Sequence, residues 1–510
     1  MPIFYSALML TAVNLLLRLV GTLFQVYLSR RVGAAGIGLL QLVMSVGSMA
    51  LVAGMAGVRT STMYLTAEEL GKGRKENVVR ILSGSLRYSI LFSGAVAVVL
   101  IGFAPRIAQN WIGAPETAPA LRLYGAILPL TCLCGVMTGY FTAANRIGTL
   151  SAVEVAEQLL SMVVTMTALT FWAGTSPVRA CLCVILGSGA GACLTLGCLV
   201  YLRQREISAV RGKIGLKRER KGLPRHETSA GSGKTGLWRR LLETALPLAV
   251  ADDLKTGINT VENLMVPKRL ALCTLVANPL ASFGVVSGMV FPVLMFPSCI
   301  LFALAELLIP ELARCAAAGS RERIRYLTRR SLKVALLYSL VFGGLECLLA
   351  EPLCRILYDD PEAGSNLRIY ALLIPMLYSD LITDAILKGL GQQKISVRYN
   401  ILTSALDVMG LYLLLPRYGM TGYYISFFVT HLINLALSMG RLVKVTQIRI
   451  PAWVPVLSLS AAAASMAMAS GLPENGARVV GYLGLLGSLL TLFGITGKED
   501  LQWFRGLMKA

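Results

Sequence analysis

The chain has 510 residues, of which 55% are apolar and only 15% are charged, and its mean hydropathy is +0.67. These values exclude a string of ordinary soluble domains and predict an all-α integral membrane protein. The net charge of +21 could indicate a nucleic-acid partner, but the Lys and Arg residues concentrate in alternate loops between apolar runs, which is typical of a membrane protein instead.

Apolar runs of about 20 residues predict fourteen transmembrane helices, because a helix of that length crosses a bilayer. The predicted spans are 6–28, 37–64, 84–104, 121–141, 151–172, 178–201, 241–265, 279–303, 331–350, 368–387, 396–415, 420–440, 452–471 and 478–497. The first run is a span rather than a signal peptide, since Arg18 lies in its middle and no small-residue cleavage site follows it. Most Lys and Arg residues outside the spans fall in loops on one side, which predicts a multi-pass protein of the cell membrane with both termini in the cytoplasm.

Polar residues in the first predicted span recur every three or four positions, so they share one helical face. They are Thr11, Asn14, Arg18, Thr22, Gln25 and Ser29. A charge at the bilayer centre costs about 2.5–3.5 kcal/mol, so this stripe must face protein or water. We expect Asn14, Arg18 and Gln25 to line a hydrated cavity, with Arg18 and Arg59 gripping an anionic group. In the alternative interpretation, Arg18 pairs with a carboxylate such as Glu262 and joins two helices.

A second polar stripe lies on the seventh predicted span, and it consists of Asp252, Lys255, Thr256, Asn259, Glu262 and Asn263. Asn259 and Glu262 are expected to complete the substrate site. Asp252 and Lys255 lie three residues apart and could equally satisfy one another.

Further acidic residues within the spans could bind a proton or a sodium ion. The candidates are Asp252, Glu306, Glu346, Asp380, Asp384 and Asp407. Glu154 and Glu157, near the start of the fifth span, are expected to reach back to the membrane interface. The eleven cysteines lie mostly in apolar runs, and His226 and His431 are far apart, so the sequence predicts neither a metal site nor a cofactor.

The segment TSAGSGKTG at 228–236 resembles a phosphate-binding loop but lacks its requirements. Thr228 occupies the position of the first glycine, and no buried strand precedes it. The loop is also too short for a nucleotide-binding domain, so ATP is not expected as a ligand. We interpret 229–236 as a flexible linker whose basic flanks rest on anionic lipid.

An internal repeat predicts the architecture. Leu121–Pro129 recurs as Leu367–Pro375, 246 residues later, and the segment at 72–77 recurs at 318–323 with the same offset. Repeats of this kind predict two parallel six-helix lobes that alternate between two orientations. The predicted boundaries are an N-lobe at 1–202, a basic cytoplasmic linker at 203–240, a C-lobe at 241–445, and a C-terminal helix pair and tail at 446–510.

Several segments resemble the stage V sporulation protein B family. They are Leu17–Gly21, Leu28–Gly33, Gly36–Gln41, Glu157–Gln158, Pro267–Leu270 and Ala303–Glu311. That family belongs to the superfamily of lipid-linked oligosaccharide flippases and multidrug exporters, which also holds the lipid II flippase. The resemblance implies a fourteen-helix, two-lobed fold with a cavity lined by the first, second, seventh and eighth spans. It also implies a link to sporulation and a polyprenyl-diphosphate-linked saccharide of peptidoglycan or another wall polymer as substrate.

One departure from the family lies in the second span. Many relatives have Gly-Leu-Pro where this chain has Gly57-Val58-Arg59. Loss of the proline is expected to let this helix run straighter, and the added cation is expected to change the preferred head group.

The favoured function is therefore an alternating-access flippase for lipid-linked saccharides, with membrane lipids and wall-synthesis enzymes as further candidate partners. A cation-coupled multidrug exporter is the alternative, and it predicts an acidic cavity. An enzyme is disfavoured, because the sequence offers neither paired catalytic carboxylates nor a nucleophile set at a membrane face.

Overall fold

The computed structural model describes residues 2–71, 75–144, 146–174, 176–221, 234–449, 451 and 453–497. These residues form helices and connecting turns, with no strand among them. The helices are α1 (Pro2–Met55), α2 (Val58–Gly71), α3 (Lys75–Ile107), α4 (Ala118–Ala143), α5 (Ile147–Ala168), α6 (Pro177–Lys221), α7 (Lys234–Leu270), α8 (Pro279–Gly284), α9 (Phe291–Met295), α10 (Ser298–Ala317), α11 (Arg321–Tyr358), α12 (Pro361–Ala371), α13 (Ile374–Gly389), α14 (Gln393–Tyr418), α15 (Met420–Thr446), α16 (Trp453–Ser470) and α17 (Asn475–Leu492).

Within the described ranges, nine helical stretches are long and apolar enough to cross a membrane, or eleven if each of two bent helix pairs counts as one span. Each of the fourteen predicted spans overlaps a described helix. The all-α, multi-pass membrane fold is therefore confirmed, whereas the number fourteen stays a prediction.

The first predicted span and most of the second lie within α1, which is kinked at Gly33 (φ 78°, ψ 170°). Glycine adopts such angles without steric cost. The expected straight second span is wrong, because the chain is interrupted between α1 and α2 at Ala56 (φ 42°) and Gly57 (φ 69°). Two consecutive residues with positive φ interrupt the helical hydrogen bonds just before Arg59. The helix therefore ends here even though the proline is absent.

The predicted linker at 203–240 is largely helical. α6 continues to Lys221 and α7 begins at Lys234, so the expected flexible segment 229–236 is already helical at its last three positions. Residues 222–233 lie outside the described residues. Helices α6 and α7 thus extend beyond the apolar runs of their predicted spans, and hydropathy alone does not give the ends of these helices.

The chain divides into two compact units. Unit 1 consists of Met1–Leu17 and Leu39–Met265, and unit 2 consists of Arg18–Gly38 and Val266–Ala510. Unit 2 therefore combines a segment near the N-terminus with the C-terminal half of the chain. The lobe boundaries at 202 and 241 stay a prediction.

Helix positions repeat along the chain. α3 and α11 begin at Lys75 and Arg321, and α5 and α14 begin at Ile147 and Gln393, so both pairs differ by 246 residues. The counterpart of the continuous helix α4 is the pair α12 and α13, which is bent by 56°. The repeat thus preserves the order of elements while allowing one copy to break.

Within unit 2, the second half of α1 packs closely against α8 and the π-helical turns Val285–Val290 that follow it. A Cβ added to Gly284 would lie 2.0 Å from the Ala34 carbonyl oxygen, and one added to Gly38 would lie 2.3 Å from the Leu280 carbonyl oxygen. Only glycine at these positions allows the two backbones to approach so closely. This contact fixes the α1 segment in unit 2.

We expect Gly284→Ala to lower the free energy of unfolding by about 1–3 kcal/mol, because the added methyl group meets rigid backbone and forces the helices apart. The measurement is the midpoint of thermal unfolding in detergent. The matched control is Gly257→Ala in α7, where an added methyl group meets no atom within 4 Å. This control should be neutral or slightly stabilising, since alanine favours helix. Equal losses in both variants would contradict the close approach.

Candidate functional site

The polar stripe of α1 lies partly exposed and partly packed in unit 2. The guanidinium carbon of Arg18 lies 3.9 Å from the centroid of the Phe302 ring on α10, and the Arg18 side chain is exposed. Further along, Gln25 Nε2 and Ser29 Oγ both donate to the Gly288 carbonyl oxygen, at 3.2 and 3.5 Å. The stripe therefore holds the helix in place through Gln25 and leaves Arg18 open to a ligand. The side chain of Asn14 lies outside the described residues.

Arg59 belongs to unit 1 and occupies the first turn of α2, with its side chain exposed. Its carbonyl oxygen lies 2.5 Å from where a Cβ on Gly139 would stand, so α2 begins in close contact with α4. Arg59 also interacts electrostatically with Glu154 of α5. The backbone contact fixes where the guanidinium emerges, and the acid nearby supplies its counter-charge.

Glu157 has a polar partner on a neighbouring helix. It is half-buried and accepts a hydrogen bond of 2.6 Å from Thr195 Oγ1 of α6. The α6 backbone also approaches it closely, because a Cβ on Gly191 would lie 3.1 Å from Glu157 Cγ. A hydroxyl inside the unit thus satisfies the carboxylate, and the expectation that Glu157 reaches the membrane interface stays a prediction.

Some residues of the polar stripe on α7 pack inside unit 1, and others are exposed. Thr260 Oγ1 donates to the Ser45 carbonyl oxygen at 3.1 Å, and Asn263 Nδ2 donates to Ser45 Oγ at 2.9 Å. Asn259 is exposed and Glu262 is half-buried. The side chain of the candidate at 252 lies outside the described residues. Asn263 thus has a structural role, whereas Asn259 remains available to a ligand.

Two of the predicted acids, Asp407 and Asp380, lie in a second polar region, in unit 2, where α13, α14 and α15 pack. Asp407 is only 5% exposed, and its Oδ1 accepts hydrogen bonds from Ser426 Oγ (2.6 Å) and Thr430 Oγ1 (3.2 Å). Two hydroxyl donors on one carboxylate oxygen stabilise the ionised form. The hydroxyl oxygens keep lone pairs, so the cluster offers the oxygen ligands that hard cations prefer.

The same helix interface continues toward Asp380. Asp380 Oδ2 accepts from Asn434 Nδ2 at 2.8 Å, and Asn434 Oδ1 accepts from Thr403 Oγ1 at 3.3 Å. Thr403 lies one helical turn before Asp407, and Asn434 lies one turn after Thr430. The network is therefore a continuous polar seam between α14 and α15, with Asp380 of α13 at its end.

The remaining predicted acids have other surroundings. Asp384 forms an ion pair of 2.9 Å with Lys388 and also accepts from Ser396 Oγ, so its charge is already balanced. Glu306 is exposed on α10. Among the described residues, no group of three His, Cys, Asp or Glu side chains is placed to hold a metal ion. The seam around Asp407 is consequently the best-formed candidate for a monovalent cation.

Tyrosine hydroxyls stabilise a broken span in unit 2. The helical stretch Pro279–Met295 and α10 meet at a bend of 61°, where Tyr378 donates to the Leu294 carbonyl oxygen (2.9 Å) and Tyr338 donates to that of Pro297 (2.7 Å). A broken helix leaves carbonyl groups without intrahelical partners, and a buried orphan is costly. Sequence reasoning missed these residues because a tyrosine in an apolar run reads as core.

We expect Tyr378→Phe to lower the free energy of unfolding by about 0.5–1.5 kcal/mol, because it removes a buried hydrogen bond to the Leu294 carbonyl oxygen. Thermal unfolding in detergent measures this change. The matched control is Tyr326→Phe, at an exposed position on α11 that is 56% accessible. A Tyr378→Phe variant as stable as this control would show that the hydroxyl does not support the bend.

Two protein families match different parts of the chain. The profile of the polysaccharide biosynthesis protein family matches residues 4–214, and that of the MatE family matches residues 263–413. Together they cover both sides of the undescribed stretch at 222–233.

The chain is also similar to individual proteins. It is 22% identical over 422 residues to stage V sporulation protein B of Bacillus subtilis (strain 168), which covers 82% of this chain and 79% of that protein. It is 30% identical over 148 residues to the probable lipid II flippase MurJ of Rhizobium meliloti (strain 1021), which covers 27% of this chain and 25% of that protein.

Solved structures share the fold. Lipid II flippase MurJ in an inward closed conformation gives a TM-score of 0.67 at 11% identity, covering 95% of this chain and 98% of that one. An inward-facing multidrug resistance MATE family transporter of the MOP superfamily gives 0.63 at 14% identity, covering 86% and 100%. A MOP superfamily transporter from Pyrococcus furiosus gives 0.56 at 14% identity, covering 87% and 96%.

Proposed function

We propose that this chain is a member of the MOP superfamily of flippases and multidrug transporters, and that it moves polyprenyl-diphosphate-linked saccharides of a wall polymer across the cell membrane by alternating access. The observation that carries the proposal is the exposed guanidinium of Arg18 in the middle of the first apolar run. A cation in that position needs an anionic partner or water, and a diphosphate supplies the partner. The similarity to stage V sporulation protein B and to a probable lipid II flippase supports this substrate class.

The chemistry of arginine suits a lipid diphosphate. Its planar guanidinium group donates paired hydrogen bonds to phosphate oxygens, and the group stays charged when it is partly desolvated. Arg18 and Arg59 each present an exposed guanidinium. We assign both to phosphate binding, and we assign Asn14, Asn259 and Glu262 to contacts with the saccharide. Gln25, which bonds to Gly288, contributes to the site mainly by holding α1 in place.

A bound cation would drive or bias the transport cycle. We assign this role to Asp407 with Ser426 and Thr430, because this carboxyl group is buried, accepts two hydroxyl hydrogen bonds and has oxygen ligands around it. Asp380 extends the same seam. The ion pair of Asp384 and the exposure of Glu306 make these two acids weaker candidates.

The remaining features of the proposal follow from charge and motif. Both termini are placed in the cytoplasm, because most Lys and Arg residues outside the spans fall on that side of the predicted topology. We propose that transport does not use ATP directly, needs no cofactor and leaves the substrate chemically unchanged. Wall-synthesis enzymes that make or consume the lipid-linked precursor are the proposed partners.

Cation-coupled export of drugs is the second candidate function. It is favoured by the MatE match over residues 263–413 and by the acidic seam at Asp380 and Asp407. The two functions differ in the charge that a substrate must carry. Cationic drugs would be repelled by Arg18 and Arg59, whereas a diphosphate would be attracted.

A reconstituted assay tests the proposal. Purified protein is placed in vesicles with a fluorescent polyprenyl-diphosphate saccharide, and a membrane-impermeant quencher reports how much label has changed leaflet. Protein-dependent movement is expected, and vesicles without protein provide the baseline. If the labelled saccharide does not move but a cationic dye leaves the same vesicles, the flippase proposal is contradicted and the exporter is supported.

A further inference from the structure

A buried carboxyl group lies in unit 2 outside the seam of α13 to α15. Glu346, in the middle of α11, is 6% exposed, and its Oε2 has no hydrogen-bond partner among the residues that the structure describes. Asp407 is equally buried but accepts two hydroxyl hydrogen bonds. An ionised carboxylate without donors is strongly disfavoured in a dry site. The geometry thus favours a neutral acid at Glu346 and a charged one at Asp407.

The position of Glu346 follows from a buried stripe on α11. Its members recur every three or four residues, and they are Ser339, Gly343, Glu346, Ala350 and Cys354. A Cβ on Gly343 would lie 3.3 Å from the Ala371 carbonyl oxygen, and a Cβ on Gly364 would lie 3.4 Å from that of Ala350. These two contacts lie on either side of Glu346, so its side chain faces α12 near the junction with α13.

This junction is a bend between two helices that together are apolar enough to cross a membrane. α12 and α13 are bent by 56°, and the nearby stretch Pro279–Met295 and α10 are bent by 61°. Tyr338 and Tyr378, which hold the second break, both interact electrostatically with Glu346. Breaks of this kind act as hinges in transporters and often lie beside coupling-ion sites. A change of bend would open the packing around Glu346 to water.

Among the residues that the structure describes, the other groups near Glu346 do not supply a charge to balance it. Its titratable neighbours are Tyr338 and Cys354 on its own helix and Tyr378 on α13. On α12, Arg368 is already paired with Glu351 at 3.1 Å. On the remaining helices packed nearby, Cys299 of α10 interacts with Tyr338, and Tyr482 of α17 donates to the Leu340 carbonyl.

We propose that Glu346 is a proton-binding site of the transport cycle, which holds a proton while α11 packs on the α12–α13 break and releases it to water when that packing opens. The proton passes between a carboxyl oxygen of Glu346 and water, with no other bond made or broken. This inference rests on the proposed transport function. The proton and the metal cation are thus assigned to different sites, the proton to Glu346 and the cation to Asp407.

The first experiment tests the bound proton without requiring transport. Infrared spectra of the protein in vesicles at neutral pH are compared for wild type and Glu346→Gln. A carboxylic-acid C=O band that disappears in the variant is expected. The matched control is Glu351→Gln on the same helix, which removes a carboxylate that is ion-paired with Arg368 and should leave the band intact. A wild-type band that persists in Glu346→Gln, or no band at all, would overturn the proposal.

A modification experiment on the wild-type protein tests the same point without requiring a variant to fold. Dicyclohexylcarbodiimide, which partitions into membranes, reacts with protonated carboxyl groups, so wild-type protein is treated with it and digested. An adduct on the peptide that contains Glu346 supports the protonated state. Recovery of that peptide wholly unmodified, while another buried carboxyl is labelled, counts against it.

The second experiment tests whether the proton is exchanged during transport. Movement of the fluorescent lipid-linked saccharide is measured with and without a pH difference across the vesicle membrane. The wild-type rate should respond to the pH difference, and the Glu346→Gln rate should not. An equal response in the variant overturns proton exchange while leaving the flippase intact. No movement in wild type, with the infrared band present, would instead refute the flippase and retain the proton site.

Discussion

Arg18→Glu should reduce movement of the lipid-linked saccharide at least about tenfold. A hydrogen bond to a charged group contributes about 1.5–3 kcal/mol, and 1.4 kcal/mol corresponds to a factor of ten. Charge reversal also places an anion where the diphosphate would bind. Arg18→Lys should give a smaller loss, because it retains the charge but not the paired donors of the guanidinium.

Stability and a matched variant separate binding from folding in this prediction. The Arg18 contact with Phe302 is exposed, so its loss should cost only about 0.5–1 kcal/mol and leave thermal unfolding nearly unchanged. Arg269→Glu is the matched control, since its guanidinium carbon also lies over a ring, 3.3 Å from the centroid of Tyr412. It should retain transport. Wild-type transport by Arg18→Glu, or an equal loss of transport in Arg269→Glu, would contradict the proposal that Arg18 binds the diphosphate.

Asp407→Asn should abolish stabilisation of the protein by sodium. A cation that binds only the folded state at a concentration of about 100 times its Kd stabilises it by about 2.7 kcal/mol. The amide lacks the negative charge and places an NH₂ donor beside the hydroxyls of Ser426 and Thr430, so the cation loses its main ligand. The measurement is the midpoint of thermal unfolding in sodium and in choline at fixed pH.

The control for this prediction lies on the adjacent helix. Asp384→Asn removes a carboxylate that is already paired with Lys388, so it should keep the sodium-dependent shift of the wild type. Loss of the shift in both variants would indicate a general effect of removing acids. A shift that survives Asp407→Asn would mean that the cation binds elsewhere.

Apolar run length predicted most of the fold, because the cost of leaving backbone groups unpaired in lipid demands a helix wherever a span is required. The periodicity of α1 was equally informative. Gln25 and Ser29, placed on one face by their spacing, donate to the same carbonyl oxygen of Gly288. Such predictions depend only on local geometry, which the sequence contains directly.

Features that depend on packing between distant segments could not be predicted. Asp407, Ser426 and Thr430 form one cluster only because α14 and α15 pack side by side. The repeat gives a clearer example. α4 continues through Pro129, whereas its counterpart breaks before Pro375, so the same local motif has two outcomes. Neighbouring helices decide which outcome is stable, since they can satisfy the carbonyl groups that a break exposes.

The composition of unit 2 has a consequence for how the protein is made. Arg18–Gly38 leaves the ribosome among the first segments of the chain, yet the residues with which it forms a unit begin only at Val266. Domains generally fold in the order of synthesis, but this segment lacks its Gly284 and Gly288 contacts until more than half of the chain exists. Assembly of unit 2 is therefore a late event in the synthesis of the chain, although one of its segments is made early.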